Sequence, residues 1–297
     1  MCMRRNQGSH PVILCADDYG MSSGVSRGIL ELAQARRISA TSAIVTLDRW
    51  AQDGPVLRSV RDRISIGLHL NLTVGRPLGP MPRLAPDGGL PSIGTLVKAA
   101  VCGRLDKAEI ETEVLRQIDR FIAVAGFIPD HIDGHQHVQV LPTVRSALVA
   151  VVNRRLRDPL PLVRDPADDP RRILRRKGEM VKALGVAALS LGFGALLRRN
   201  GIPTNRGFSG FSAFDEETDY ALELRTAATT VGPAHILMCH PGYPDEELAG
   251  LDPVVDRRAQ ESATLLGEPG LLDLIWHANR SLDGPPIDWN QASFNGF

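Results

Sequence analysis

The chain has 297 residues, with 34 Lys+Arg against 34 Asp+Glu and 43 % hydrophobic residues. That apolar content excludes wholesale disorder, and a formal charge of zero excludes a uniformly basic nucleic-acid-binding or membrane-coating protein. The length suits one large α/β barrel or two domains of about 150 residues each.

Residues 12–15 form an apolar run that leads into Asp17 and Asp18; Ser22 then reads as a helix N-cap, with Val25, Ile29 and Leu32 following at helical spacing. Residues 40–47 and 63–71 read as further strands, and 106–125 as an amphipathic helix with Ile110, Val114, Ile118 and Ile122 four apart. A short strand at 131–133, a helix at 142–155 opened by proline, and a strand at 160–163 follow. The tail holds a helical region at 171–199, a buried strand at 234–239 and a helix at 254–266. Repeated β–α alternation predicts parallel strands joined by right-handed crossovers, hence one barrel-like α/β domain over 1–297. The Gly/Pro-rich stretch 73–91 is expected to be a loop that covers a site.

Four cysteines without a CxxC pair argue against a disulfide framework. The apolar run after Arg4 and Arg5 is too short for a signal-peptide core. The longest uncharged stretch, 183–197, falls short of the roughly 20 residues that span a bilayer. The expected location is cytoplasmic, without a transmembrane segment.

Polar residues gather after the strands. Five of the eight histidines fall in three strings, GLHLN (67–71), HIDGHQH (131–137) and MCHPGY (238–243), and ADDYG (16–20) adds two carboxylates. In parallel α/β folds reactive groups collect at the carboxyl ends of strands. Two His and one carboxylate leave positions open on a divalent cation, which lowers the pKa of a bound water toward ~7 and polarises a carbonyl. His131, Asp133, His135 and His137 share one face if their string is extended. Adjacent strand residues point to opposite faces, so Asp17 and Asp18 reach one centre only if the backbone turns after Cys15; Gly20 suits such a turn.

Together ADDYGMSSGVSRGI, GLHLNLTVGRPL, HIDGHQHVQVLP and MCHPGY, in that order, resemble the YdjC-type carbohydrate deacetylase family, which includes chito-oligosaccharide deacetylases and a hopanoid-associated branch. The resemblance implies a deformed (β/α) barrel related to polysaccharide deacetylases, a homodimer, and hydrolytic removal of acetyl groups from N-acetylated saccharides or glycoconjugates. It implies Asp18, His69 and His135 as ligands of one divalent metal ion, Mg²⁺ or Zn²⁺, with Mn²⁺ or Co²⁺ also suited. By the same resemblance Asp17 is the general base, and His240 protonates the departing amine or stabilises the oxyanion. Tyr19, Asn71, Arg164 and Tyr243 are candidate substrate contacts. A lipid-linked amino sugar is the alternative substrate; a non-haem iron oxygenase and a non-catalytic sugar binder are the alternatives from other classes. The 171–199 insertion brackets an apolar stretch with RRILRRK and LLRR, which suits a lid, a dimer contact, ordinary core or peripheral contact with a lipid-linked or anionic substrate. Aromatic residues make up 5 % of the chain, few for the stacking platforms of a long chitin groove.

Overall fold

The computed structural model describes residues 12–156, 160–215 and 217–276. Cys2, Arg4 and Arg5 lie outside them. Seven strands, β1 (Ile13–Tyr19), β2 (Ala40–Ala43), β3 (Ser65–Leu70), β4 (His131–Gly134), β5 (Leu162–Val163), β6 (Phe208–Ser209) and β7 (Ile236–Cys239), form one sheet in the order β5-β4-β3-β2-β1-β7-β6. Every pairing is parallel, as expected for strands joined by helical crossovers.

The helices up to the first sheet edge are α1 (Ser23–Gln34), α2 (Trp50–Asp53), α3 (Ile93–Val101), α4 (Lys107–Ala125) and α5 (Val144–Arg155). Beyond it come α6 (Pro170–Arg176), α7 (Met180–Leu189), α8 (Phe193–Arg199), α9 (Tyr220–Ala227), α10 (Glu246–Ala249), α11 (Asp256–Gly267) and α12 (Leu271–Leu274). Ser22 caps α1 by accepting from Val25 N–H, and Asp106 caps α4 while Gly126, at φ 82°, ends it.

Two apolar clusters sit on the two faces of the sheet. The larger joins alternate strand residues such as Leu14, Ile66, Leu68 and Ile132 to the helices outside. The smaller holds Ile13, Cys15 and Ala40 together with Leu162 of β5 and Phe208 of β6, residues from opposite ends of the strand order. The sheet therefore curls until its edges meet around an interior core. Backbone bonding across that seam is sparse. Val163 N–H donates to the Pro203 carbonyl, and the Asn205 side chain accepts from Asp165 N–H and donates to the Asp165 and Gly207 carbonyls, all at 2.8–2.9 Å. One amide side chain thus replaces a missing strand pair, which makes this a deformed (β/α) barrel.

Two expectations change here. The 73–91 loop packs on α4, where Leu78 and Leu84 N–H donate to Glu113 and Glu109, and contributes nothing to the cleft over the strand ends. Residues 171–199 form three short helices, and α7 is not ordinary core, since only its Ala183 is buried. The Gly192 turn, at φ 79°, bends α8 away from α7 by 43°.

Candidate metal centre

Four strands deliver the site from their carboxyl ends. In β1 the pairing with β2 slips between Ala16 and Tyr19, and Asp18 takes φ 72°. That left-handed residue lets both neighbouring carboxylates face one centre; the turn lies in Asp18 itself rather than at Gly20, which at φ 83° follows it into α1. A left-handed non-glycine residue costs roughly 1–2 kcal/mol, tolerated best by Asn and Asp.

Asp18 Oδ1 lies 3.3 Å from His69 Nε2 and 3.0 Å from His135 Nδ1, and all three side chains are buried. Two donor atoms each ~2.1 Å from an ion, at right angles or tetrahedrally disposed, lie about 3.0–3.4 Å apart, so the spacing fits a shared cation. His69 Nδ1 is 2.6 Å from Asp133 Oδ1, which orients the ring and leaves Nε2 for the centre. Arg164 meets Asp17 with both terminal nitrogens, at 2.8 and 2.7 Å, and reaches Asp133 Oδ2 at 2.9 Å. Arg258 of α11 donates to Asp18 Oδ2 at 2.8 Å.

Three buried carboxylates, Asp17, Asp18 and Asp133, thus face two guanidiniums, leaving one negative charge over. Buried charge of that kind calls for a partner. In the bare protein a proton on His69 supplies it: burial opposes the charge, but Asp133, Asp17 and Asp18 raise the imidazole to about 10. A divalent cation meets the same need at the same atoms, so the residues fit a metal. Burial also works against ionised Asp17 and Asp18. Arg164 with His69 and His240 outweighs it at Asp17, and Arg258 with His135 and His69 at Asp18, so both stay well below the usual carboxylate range.

The centre forms the floor of a cleft of about 570 Å³. His240 lines it from the end of β7, its ring 5.1 Å from that of Phe214 and its backbone N–H donating to Glu261 Oε2 at 2.6 Å. Burial pushes the His240 imidazole down, against the pull of Asp18 and Asp17. Val181, Gly185, Val186 and Leu189 of α7 supply an apolar wall.

The structure brings together Asp17, Asp18, His69, His135 and His240. It sends the other candidates elsewhere. Tyr19 is core, its hydroxyl donating to the Asp53 carbonyl at 2.8 Å. Asn71 ties down its own loop, donating to Thr46 and the Val74 carbonyl and accepting from Thr73 and Val74 N–H. Arg164 is fully buried beneath the cleft as the partner of Asp17. Tyr243 bonds Glu31 and stacks under Arg27, outside the cleft.

The HIDGHQH string is extended only to Gly134; Gln136 and His137 are left-handed, at φ 52° and 60°. His131 consequently points below the site, to Cys15 and Ser65, while His137 enters the cleft wall against Phe208 and Phe211. Arg258 and Glu261 were missed, because their helix carries them to the site from more than 200 residues after Asp18. A buried carboxylate excess was the available signal for the arginine.

A family model described as YdjC-like protein matches residues 11–271. Chitooligosaccharide deacetylases of Serratia marcescens and Proteus mirabilis (strain HI4320) are 39 % and 34 % identical over 134 and 140 residues, 45 % and 46 % of this chain. Those stretches cover 52 % and 54 % of the relatives, so the chain spans about half the length of each. A chitooligosaccharide deacetylase of Klebsiella pneumoniae (strain 342) is 27 % identical over 243 residues, 80 % of this chain and 84 % of that one. A solved structure from Enterococcus faecalis V583, provisionally named a cellobiose-phosphate cleavage protein, aligns with TM-score 0.64 at 20 % identity. It covers 88 % of this chain and 92 % of that one, a likeness of fold. With the family model spanning nearly the whole of the barrel and its site, the chain belongs to the YdjC-like protein family.

Proposed function

We propose that the protein is a metal-dependent N-deacetylase that hydrolyses the acetamido group of an N-acetylated saccharide or glycoconjugate. The observation that carries this reading is the convergence of Asp18, His69 and His135 at the cleft floor, beside an Asp17 clamped by Arg164. The names of the deacetylase relatives support the substrate class.

Amide hydrolysis needs a nucleophile, a polarised carbonyl and a proton for the departing nitrogen. A divalent cation held by Asp18, His69 and His135 supplies Lewis acidity toward the carbonyl and acidifies a water. Arg164 fixes the plane of the Asp17 carboxylate and keeps it ionised; Oδ2, with one donor, has a lone pair left to accept a proton from the attacking water. Ser42 hydroxyl lies 3.3 Å from the other oxygen and 3.1 Å from His69 Nδ1, filling the space between base and ligand. His240, which lines the same cleft, delivers a proton to nitrogen as the C–N bond breaks, giving acetic acid and the free amine, which at neutral pH become acetate and the ammonium. A base beside the ligand set favours hydrolysis over the oxygenase reading, which gives Asp17 no task.

The test is acetate release from N-acetylglucosamine oligomers and N-acetylated glycoconjugates, with defined divalent metals. Asp17→Asn should lower turnover by about 10²–10⁴-fold with metal content unchanged. Near-normal turnover in that variant removes Asp17 as base, and no acetate from wild type on any substrate removes the reading.

A further inference from the structure

The segment from α6 to α8 carries two features that extend beyond the catalytic cleft. Among the described residues ten large hydrophobic side chains are exposed, and five of them, Leu174, Met180, Val181, Leu184 and Leu191, fall within 18 consecutive residues. Val181 and Leu191 are 86 % and 75 % exposed. Such a concentration on a folded surface marks a contact with something apolar. Around it the charge is one-sided. Residues 171–199 contain eight Lys or Arg and a single acid, Glu179. Arg172 and Arg176 turn inward to Asp168, Lys182 bonds the Ser212 carbonyl and Arg198 shares a pocket with Asp165, Asp168 and Asp169, while Arg171, Arg175, Lys177 and Arg199 remain exposed.

We propose that this face docks on an anionic lipid surface. Apolar side chains enter the acyl boundary while the surrounding cations meet headgroup phosphates, the pattern of an interfacial helix. An orientation along the surface suits the segment, because no single helix among the described residues is long and apolar enough to span, and α7 and α8 reach that length only as a pair bent by 43°. A second copy is a poorer occupant, because a two-fold contact brings together two basic segments, each with eight cations and a single acid. Nucleic acid would use the cations and leave Val181 and Leu191 in water. Val181, Lys182 and Gly185 also line the cleft, so docking places its mouth against the headgroups. The proposal goes beyond the deacetylase reading and does not rest on it, because lipid binding is measured without turnover.

The experiment is co-sedimentation of the full chain with vesicles of phosphatidylcholine alone and of phosphatidylcholine with 30 % phosphatidylglycerol, with ~0.3 as that fraction chosen for a moderately anionic surface. Binding should appear on the anionic vesicles and weaken with salt. Leu174→Ser/Leu184→Ser/Leu191→Ser, three positions outside the cleft lining, should lower the partition by at least about tenfold. Arg171→Glu/Arg175→Glu should lower it comparably and independently, which covers a misfolded triple variant. No sedimentation of wild type on either vesicle overturns the proposal. So does a stable dimer in solution that the triple variant converts to monomer, which would assign the face to a second copy.

Discussion

At the floor of the cleft Asp17, Asp18, His69 and Asp133 are each at most 2 % exposed, and each is bonded to at least two other buried groups. The α7 wall above them buries one residue, Ala183, and is tied down through Lys182, whose Nζ bonds the Ser212 carbonyl at 2.8 Å, and through Leu189, half-buried against the core. A second cleft, lined by Ala183, Ser209 and Leu222, opens behind the helix. The floor is thus over-determined and the wall is held loosely. Reacting groups must keep their geometry to within a fraction of an ångström, and strand ends in a closed sheet supply that. A lightly buried helix between two clefts has the fewest contacts to break if a wall of the cleft is to move.

The sharpest way to break the floor is through Asp133, which lies beneath the cleft lining and joins His69 to Arg164. Asp133→Asn keeps the shape and removes the charge. Losing one partner of a buried ion-pair network destabilises by about 3–5 kcal/mol. Losing the outer partner of a metal-binding histidine lowers metal affinity by roughly 10–100-fold. Urea unfolding and metal titration of the folded variant should show both together. A variant of wild-type stability and affinity would mean that Asp133 is a bystander and the floor less interlocked than its distances imply.

Glu261 tests what such interlocking costs. Burial raises its carboxyl from 4.5 to about 7, against the lowering effects of His240 N–H, Arg258 and Arg257. Below about 4.5 the group is protonated folded or unfolded and the burial penalty is absent; above about 7 it is ionised in both states and the penalty is complete. Its contribution to stability therefore falls as pH rises through that window, by about 3 kcal/mol for a shift of this size. Glu261→Gln keeps an acceptor for His240 N–H and removes the titration. Measured at pH 5 and pH 8, the variant should gain stability relative to wild type at the higher pH. An unchanged difference would show that Glu261 titrates normally.

Much of the floor was legible in the sequence. Asp17, Asp18, His69 and His240 each follow an apolar run of period and length suited to a buried strand, and a parallel sheet gathers such ends on one side. What escaped was set by single torsions and by long-range closure. Nothing local announced φ 72° at Asp18 or the left-handed pair Gln136–His137, so the extended reading of HIDGHQH failed after Gly134. The two-residue strand Phe208–Ser209 is too short to show a period, and it exists because β7 pairs with it. Arg164 was seen as a substrate contact because a strand-end arginine reads the same whether it points to ligand or to a buried carboxylate. The wall was legible by composition alone: its charge and apolarity marked a segment of unusual surface, while its break into three helices depended on left-handed Lys177 and Glu179 and on Gly192.

The smallest effect probes the wall itself. Gly185 lies mid-way along α7, and a Cβ built there meets no atom within 4 Å. Gly185→Ala should therefore favour the helical state by about 0.5–1 kcal/mol with no steric cost. If the wall opens separately from the floor, hydrogen exchange of the peptide covering 180–189 should slow by up to about fivefold, while the β1 and β4 peptides and the metal affinity stay as they were. If protection instead rises in all peptides together, α7 unfolds with the barrel as one cooperative unit. The distinction between a rigid floor and a loosely held wall would then describe burial and not motion.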